Sequence, residues 1–404
     1  MTTDRPLLDG ITVLDLASVG PAVRAARWLA DWGADVIKVG PVPRDADVHI
    51  TPPAYAYSAH RGMRRVLLDL KSDGGRSAFL RLAAEADVVI ESFRPGVVDR
   101  LGIGYEALRT ANPGIVLCST TGFGQTGPRA QWAGHDLNYL AVGGYLHCSG
   151  RTADGGPALP GATVADSAGG GLHAVAAICA ALTARATTGE GTHLDVSIAD
   201  GVLSLMSLAV DEYLADGTEP GPRHGLLTGR YAWYDLYEAA DGGWLAVGAI
   251  EPRFFANLCQ SLGCDRWADH QYDDEAVDAM RADFTAAFAA RGRDEWVDLL
   301  GPADTCVTAV LDVPELLADE QFDVIILENL NAQAVAGNDL AALEQLVGKG
   351  KGFLMIGGYH SFGPGGYGGT PVETILPVQI DPIERQDLGA TATVQKAFHL
   401  AGQL

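Results

Sequence analysis

Apolar and polar positions alternate in blocks through the first third of the chain. Ile11 to Leu16 is an apolar run, Val23 to Trp32 carries apolar side chains at helical spacing, and Asp35 to Val39 is apolar again. Gly33 stands where the helix would end. This predicts a βαβ unit, and the pattern recurs as Asp87 to Ser92, a helix near Tyr105 to Ala111, and Gly114 to Ser119. Parallel strands joined by right-handed crossovers are the economical fold. The turn after the first strand reads SVGPA rather than G-x-G-x-x-G, which argues against a dinucleotide there.

Ser167 to Gly189 reads as a helix led by Gly169, Gly170 and Gly171 and closed by TTGEG; its apolar character all round predicts burial. From about Gly201 longer helical stretches, Pro252 to Leu262, Asp274 to Ala290 and Arg293 to Leu300, stand against strands at Trp244 to Ile250 and Cys306 to Val310. Past Phe322, DVIILENL, a helix over Asp339 to Val347 and GFLMIGG form another β-α-β stretch. In the loop that follows, Gly363, Gly365 and Gly368 match G-x-G-x-x-G formally. Pro371 and Pro377 leave no room for the helix that would receive a pyrophosphate, so the segment reads as an irregular loop. The expected fold is α/β: a large Rossmann-like parallel-sheet domain over 1–200, a smaller α+β domain over 201–322, and an atypical tail over 323–404.

Length supports this division, because 404 residues with 48% hydrophobic content exceed what one core usually serves. No stretch reads as approaching a membrane-spanning helix, and MTTDRPLLDG lacks a secretory pattern, so the expected location is the cytoplasm. Six cysteines without paired short spacings indicate reduced thiols rather than a zinc cluster or a disulfide framework. A formal charge of −23 argues against nucleic acid and anionic membranes as partners. Within this acidic chain Arg61, Arg64, Arg65, Lys71, Arg76, Arg81, Arg94 and Arg100 are concentrated in one segment. Such a cluster is either a solvated face or a phosphate-binding surface.

Three islands place ionisable groups in unusual company: GHDLNY with His135, ATVADSAGGG with Asp166, and VGAIEP with Glu251. Each has a structural reading as well as a chemical one: His135 as half of a structural pair, Asp166 as a helix N-cap, Glu251 as a helix-start residue. Spacing alone leaves both open.

Residues 10 to 322 contain GITVLDL, LADWGADVIKV, VLLDLKSDGGR, ESFRPGVVDRLGIGYEAL, TTGFGQTGPRAQWAGHDLNYLAVGG, YDLYEAADGGWLAVGAIEPRFF and DTCVTAVLDVPELLADEQF. In combination these resemble the family III CoA-transferases (CaiB/BaiF), most closely the alpha-methylacyl-CoA racemases of lipid metabolism. The resemblance implies a large CoA-binding α/β domain, a small domain, and two chains threaded as an interlocked homodimer. It places the family's conserved aspartate on Asp166, a nucleophile in the transferases and a base in the racemases. His135 and Glu251 match the further residues of the racemases. Inverting an α-carbon needs a proton carrier on each face of a planar intermediate, which a histidine and an aspartate supply without a metal. Glu251 would orient His135, and the N–H groups of Gly169 to Gly171, at a helix opening, would stabilise the enolate.

For the CoA moiety, which replaces any prosthetic group, the resemblance points to Val19, Leu70, Lys71, Ser92, Phe93, Arg94 and Arg100. Lys and Arg would meet phosphates, and Val19 and Leu70 would flank the adenine. Two features depart from the family: Arg44 is displaced by a few positions from the arginine that usually follows the IKV strand, and residues 323–404 resemble a class I glutamine-amidotransferase-like fragment. The activity so implied is inversion at the α-carbon of a 2-methylacyl-CoA. CoA transfer through a covalent Asp166 intermediate and CoA binding without turnover are the alternatives.

Overall fold

The computed structural model describes residues 6–17, 19–42, 63–319, 324–328, 341 and 352–356. The chain forms two compact units, one of Met1–Gly10, Arg27–Leu68 and Asp312–Leu404, the other of Ile11–Ala26 and Asp69–Leu311. Six strands pair in parallel: β1 (Thr12–Asp15), β2 (Asp35–Gly40), β3 (Arg64–Leu67), β4 (Val88–Glu91), β5 (Val116–Thr121) and β6 (His193–Ser197). In the first unit β2 runs beside β3, with Ile37 opposite Arg64. In the second the order is β1-β4-β5-β6, Val13 lying opposite Val88 and Ile90 opposite Cys118.

β4 and β5 are buried at every position, including Glu91, Ser119 and Thr120. This is the condition of parallel strands covered on both faces, and it explains why Val88 to Ile90 and Val116 to Cys118 run apolar without alternation. The helices among and after these strands are α1 (Pro21–Asp31), α2 (Asp73–Ala84), α3 (Tyr105–Ala111), α4 (Asp136–Val142), α5 (His173–Thr188) and α6 (Ile198–Leu205). Gly20, at φ +79°, turns the chain out of β1 so that Pro21 begins α1. Proline suits that first position because its missing N–H has no helical partner there.

The second unit also holds an antiparallel sheet, β7 (Tyr234–Glu238), β8 (Trp244–Gly248) and β9 (Val307–Ala309). Helices α7 (Pro252–Ser261), α8 (Val277–Phe288) and α9 (Arg293–Leu300) accompany it. Its core gathers Trp233, Leu245, Phe255, Phe284 and Phe288, all fully buried. The Trp233 indole donates to the Gln271 carbonyl at 2.6 Å, so the largest of these side chains is buried with its polar atom satisfied. In the first unit β10 (Val324–Glu328) runs parallel to β11 (Gly352–Ile356). Of the expected helix between them only Ala341 is described, and Gly363, Gly365 and Gly368 lie outside the described residues. All six cysteines are free.

The glycine-led helix departs from expectation in three ways. It begins earlier, as a π-helical run over Ala165–Leu172 that continues into α5. It is buried on one side only: Ala174, Val175, Ile178 and Ala181 face inward, whereas Ala176, Ala180, Thr183 and Ala184 are exposed. Small alanine and threonine side chains carry little apolar surface, so an all-apolar composition did not require an all-round cover. Finally, Ala165–Thr188 is long and apolar enough to cross a membrane by length and composition, with mean hydropathy 1.4 over its most apolar window, contrary to the expectation that no stretch approaches this.

Candidate active site

Asp166 is not an N-cap but the second residue of the π-helical run. Departures of this kind from α geometry recur at functional sites. Its backbone N–H donates to Asp136 Oδ1 at 2.8 Å. That bond ties it to the first residue of α4, and His135 is the N-cap of the same helix. The His135 backbone N–H donates to Asn138 Oδ1 at 3.0 Å, which fixes the turn. Beneath it the Tyr139 hydroxyl donates to the Gly134 carbonyl at 2.6 Å. A Cβ at Gly134 would stand 2.8 Å from the Tyr139 ring and one at Gly122 2.5 Å away, so the GHD turn and the loop after β5 close on this tyrosine only because both residues are glycine.

On the other side of Asp166 stands Arg24, one turn into α1. Arg24 Nη1 lies 3.5 Å from Asp166 Oδ2, and Nη2 donates to Thr163 Oγ1 at 2.7 Å. Burial raises the Asp166 carboxyl above the usual carboxylate range; Arg24 opposes that rise, the Asp136 charge adds to it, and His135 opposes it. The Tyr139 hydroxyl is pushed up by burial, by Asp166 and by Asp136. His135 and Asp166 therefore share one electrostatic site, half-open to solvent: the His135 residue is exposed, and the Asp166 side chain retains 19% of its accessible surface. Arg24 was passed over in the sequence because a basic residue on an amphipathic first helix reads as part of its solvated face.

The glycines have another task than the one expected. Gly170 and Gly171 lie in the interior of the helical run rather than at its opening, and all three are buried. A Cβ at Gly170 would stand 2.6 Å from Pro21 Cβ, and one at Gly201 would stand 1.8 Å from the Gly169 carbonyl. They let α1 and α6 pack against the run that carries Asp166. The expectation of an oxyanion site made by their N–H groups is corrected accordingly: interior helical N–H groups are spent on the helix.

Glu251 is the exposed N-cap of α7, three residues past the end of β8, the central strand of the antiparallel sheet. Its charge acts on Cys306. Among the described residues it makes no hydrogen bond to His135, so one chain does not bring these two together.

Several of the residues expected to meet CoA lie past the carboxyl ends of adjacent parallel strands. Val19 follows β1 and is 49% exposed; Ser92, Phe93 and Arg94 follow β4. Ligands of parallel α/β sheets collect at that edge. The Phe93 N–H donates to the buried carboxylate of Glu91 at 2.6 Å, anchoring this loop to the strand. Glu91 also bonds Ser119, and burial raises its carboxyl. Leu70 is half-buried beside exposed Lys71 in the turn before α2, and Arg100 is exposed at the end of the short helix Val97–Arg100. Arg64 and Arg76 are already paired, with Asp35 and Asp73. Lys71, Arg94 and Arg100 make no ion pair among the described residues; of the same cluster Arg65 makes none either, and Arg81 donates only to Ser77 Oγ. Arg44 and Arg61 lie outside the described residues.

The sequence model described as CoA-transferase family III matches residues 8–327. An alpha-methylacyl-CoA racemase of Homo sapiens is 35% identical over 313 residues, covering 77% of this chain and 79% of its own. An acetyl-CoA:oxalate CoA-transferase of Acetobacter aceti is 34% identical over 322 residues, covering 76% and 81%. Among solved structures, a CAIB/BAIF family protein from Brucella suis superposes with TM-score 0.67 at 33% identity, covering 79% of this chain and 87% of that one.

Proposed function

Because the chain belongs to CoA-transferase family III, we propose that it is an isomerase inverting the α-carbon of 2-methylacyl-CoA thioesters, with Asp166 and His135 as its two proton carriers. The observation that supports this reading is the pairing of a half-buried carboxylate with a histidine whose charge acts on it, on two elements joined by the Asp136 bond to the Asp166 N–H. One group removes the α-proton, the thioester delocalises the charge as an enolate, and the other returns a proton to the opposite face. Glu251 orients His135 across a homodimer, since within one chain it makes no bond to that histidine. Lys71, Arg94 and Arg100 bind the CoA phosphates, and Val19, Leu70, Ser92 and Phe93 complete the cleft. The protein acts in the cytoplasm.

The test is incubation with a 2-methylacyl-CoA in deuterated water without a carboxylate acceptor, following the α-proton by NMR. Exchange accompanied by the opposite epimer is expected; an intact α-proton after prolonged incubation overturns the reading.

The likeness to an acetyl-CoA:oxalate CoA-transferase favours a second reading. Here an Asp166 oxygen attacks the thioester carbonyl and CoA leaves as its thiolate; the thiolate attacks the Asp166 carbonyl of the resulting anhydride, releasing the donor acid and leaving an aspartyl-CoA thioester. The acceptor carboxylate then displaces the thiolate to form a second anhydride, which the thiolate opens to the new acyl-CoA and free Asp166. Hydroxylamine trapping of an acyl group on Asp166 distinguishes it.

A further inference from the structure

Asp166 has to balance opposing influences, and most of them come from elements distant in sequence. Burial and the neighbouring Asp136 favour the neutral acid. Against them stand Arg24 from α1 and His135 from the start of α4; Tyr139 of α4 is the remaining titratable group that faces it. The guanidinium is held from two sides, Nη1 at 3.5 Å from Asp166 Oδ2 and Nη2 donating to Thr163 Oγ1 at 2.7 Å. Thr163 belongs to the turn that leads into the Asp166 run, so the arginine is fixed to the same segment that it charges. The start of α1 faces the same oxygen: a Cβ built on Gly20 would lie 3.9 Å from Asp166 Oδ2. A helix N-terminus favours a nearby anion. Close packing of Pro21 on Gly170 holds that helix end in place.

We infer that Arg24 is a positioning residue: it keeps the Asp166 carboxylate ionised and turned toward the start of α1, so that Asp166 enters the reaction as the acceptor of the α-proton. This rests on the racemase reading for its chemical consequence, but the ionisation itself is measurable without turnover. Removing the guanidinium leaves burial and Asp136 less opposed, so the carboxyl titrates at higher pH and the acid limb of proton exchange moves up with it. Binding of the CoA end should be unchanged, because the Arg24 guanidinium is engaged by Asp166 and Thr163.

The experiment is a ¹³C NMR titration of protein labelled at the Asp carboxyl carbon, with the Asp166 signal assigned by its loss in Asp166→Asn. It is run on the parent, Arg24→Gln and Arg24→Lys beside the pH profile of α-deuterium exchange. Arg24→Gln should raise the Asp166 midpoint and the acid limb together with little change in KM, and Arg24→Lys should restore part of both. An Asp166 midpoint that stays in place in Arg24→Gln overturns the inference, whatever happens to the rate. A midpoint that moves in a protein whose parent exchanges no α-proton supports the electrostatic role of Arg24 and overturns the racemase reading instead.

Discussion

Asp136 Oδ1 accepts the backbone N–H of Asp166 at 2.8 Å, joining residues thirty positions apart and locking the GHD turn to the start of the π-helical run. The same carboxylate also raises the Asp166 carboxyl through its charge. Structure and electrostatics can therefore be separated by substitution. Asp136→Asn keeps an oxygen acceptor and removes the charge, so Asp166 should titrate lower and the acid limb of exchange should move to lower pH. Asp136→Ala loses the bond as well, at a cost of about 1–3 kcal/mol, which urea unfolding measures. An acid limb that moves upward in Asp136→Asn would contradict the assignment.

How much of this was legible beforehand follows from the range of the interactions involved. β4 lies within the Asp87 to Ser92 run, and α3 matches the helix at Tyr105 to Ala111, because apolar runs and helical spacing are local properties. The Asp166 island was legible through its motif. Its ion pair with Arg24 spans 142 positions, and no local pattern encodes a contact of that range. The π geometry of Ala165–Leu172 was equally hidden, since it depends on how closely Pro21 and α6 approach the glycines rather than on their propensity. The oxyanion role expected of those glycines failed on the same ground: they serve close packing.

Gly201 tests that packing. Any Cβ there would stand 1.8 Å from the Gly169 carbonyl, a backbone atom that cannot swing aside. Gly201→Ala should therefore destabilise the protein by about 1–3 kcal/mol or more, the usual cost of overpacking. It should also shift the run that carries Asp166, reducing exchange beyond the loss of folded protein. Chemical denaturation beside the rate per folded molecule checks both; an unchanged denaturation midpoint would show that α6 yields without cost.

Glu91 makes a prediction about pH and stability. Its carboxyl is raised chiefly by burial, so the folded protein holds this proton more tightly than the unfolded chain does. A group of this kind gives its full contribution below the unfolded carboxylate value, and that contribution is lost as pH rises through the higher folded value. Glu91→Gln retains an oxygen for the Phe93 N–H and cannot ionise. Unfolding free energies of parent and variant should thus be similar near pH 4 and diverge in the variant's favour as pH rises toward neutrality. Divergence in the opposite direction would mean that the charged carboxylate is the stabilised form.

Two of the open cations carry the last prediction. Lys71 and Arg94 are exposed and without ion pairs among the described residues, in an acidic chain where Arg64 and Arg76 have already found carboxylates. Cations left unpaired amid a charge of −23 are suited to an anionic ligand. A charge-assisted contact to a phosphate contributes about 1.5–3 kcal/mol, so Lys71→Ala and Arg94→Ala should each raise the KM for acyl-CoA roughly ten- to a hundredfold. The kcat should change little, because neither residue is among the charges that act on the Asp166 carboxyl. For the parent, KM should rise with salt, and the slope should flatten in each variant as one phosphate contact is lost. Steady-state kinetics across a salt series decides the matter: a KM that ignores both substitutions would move the phosphate site away from the β4 edge, and a fall in kcat at constant KM would place these cations in the chemistry instead.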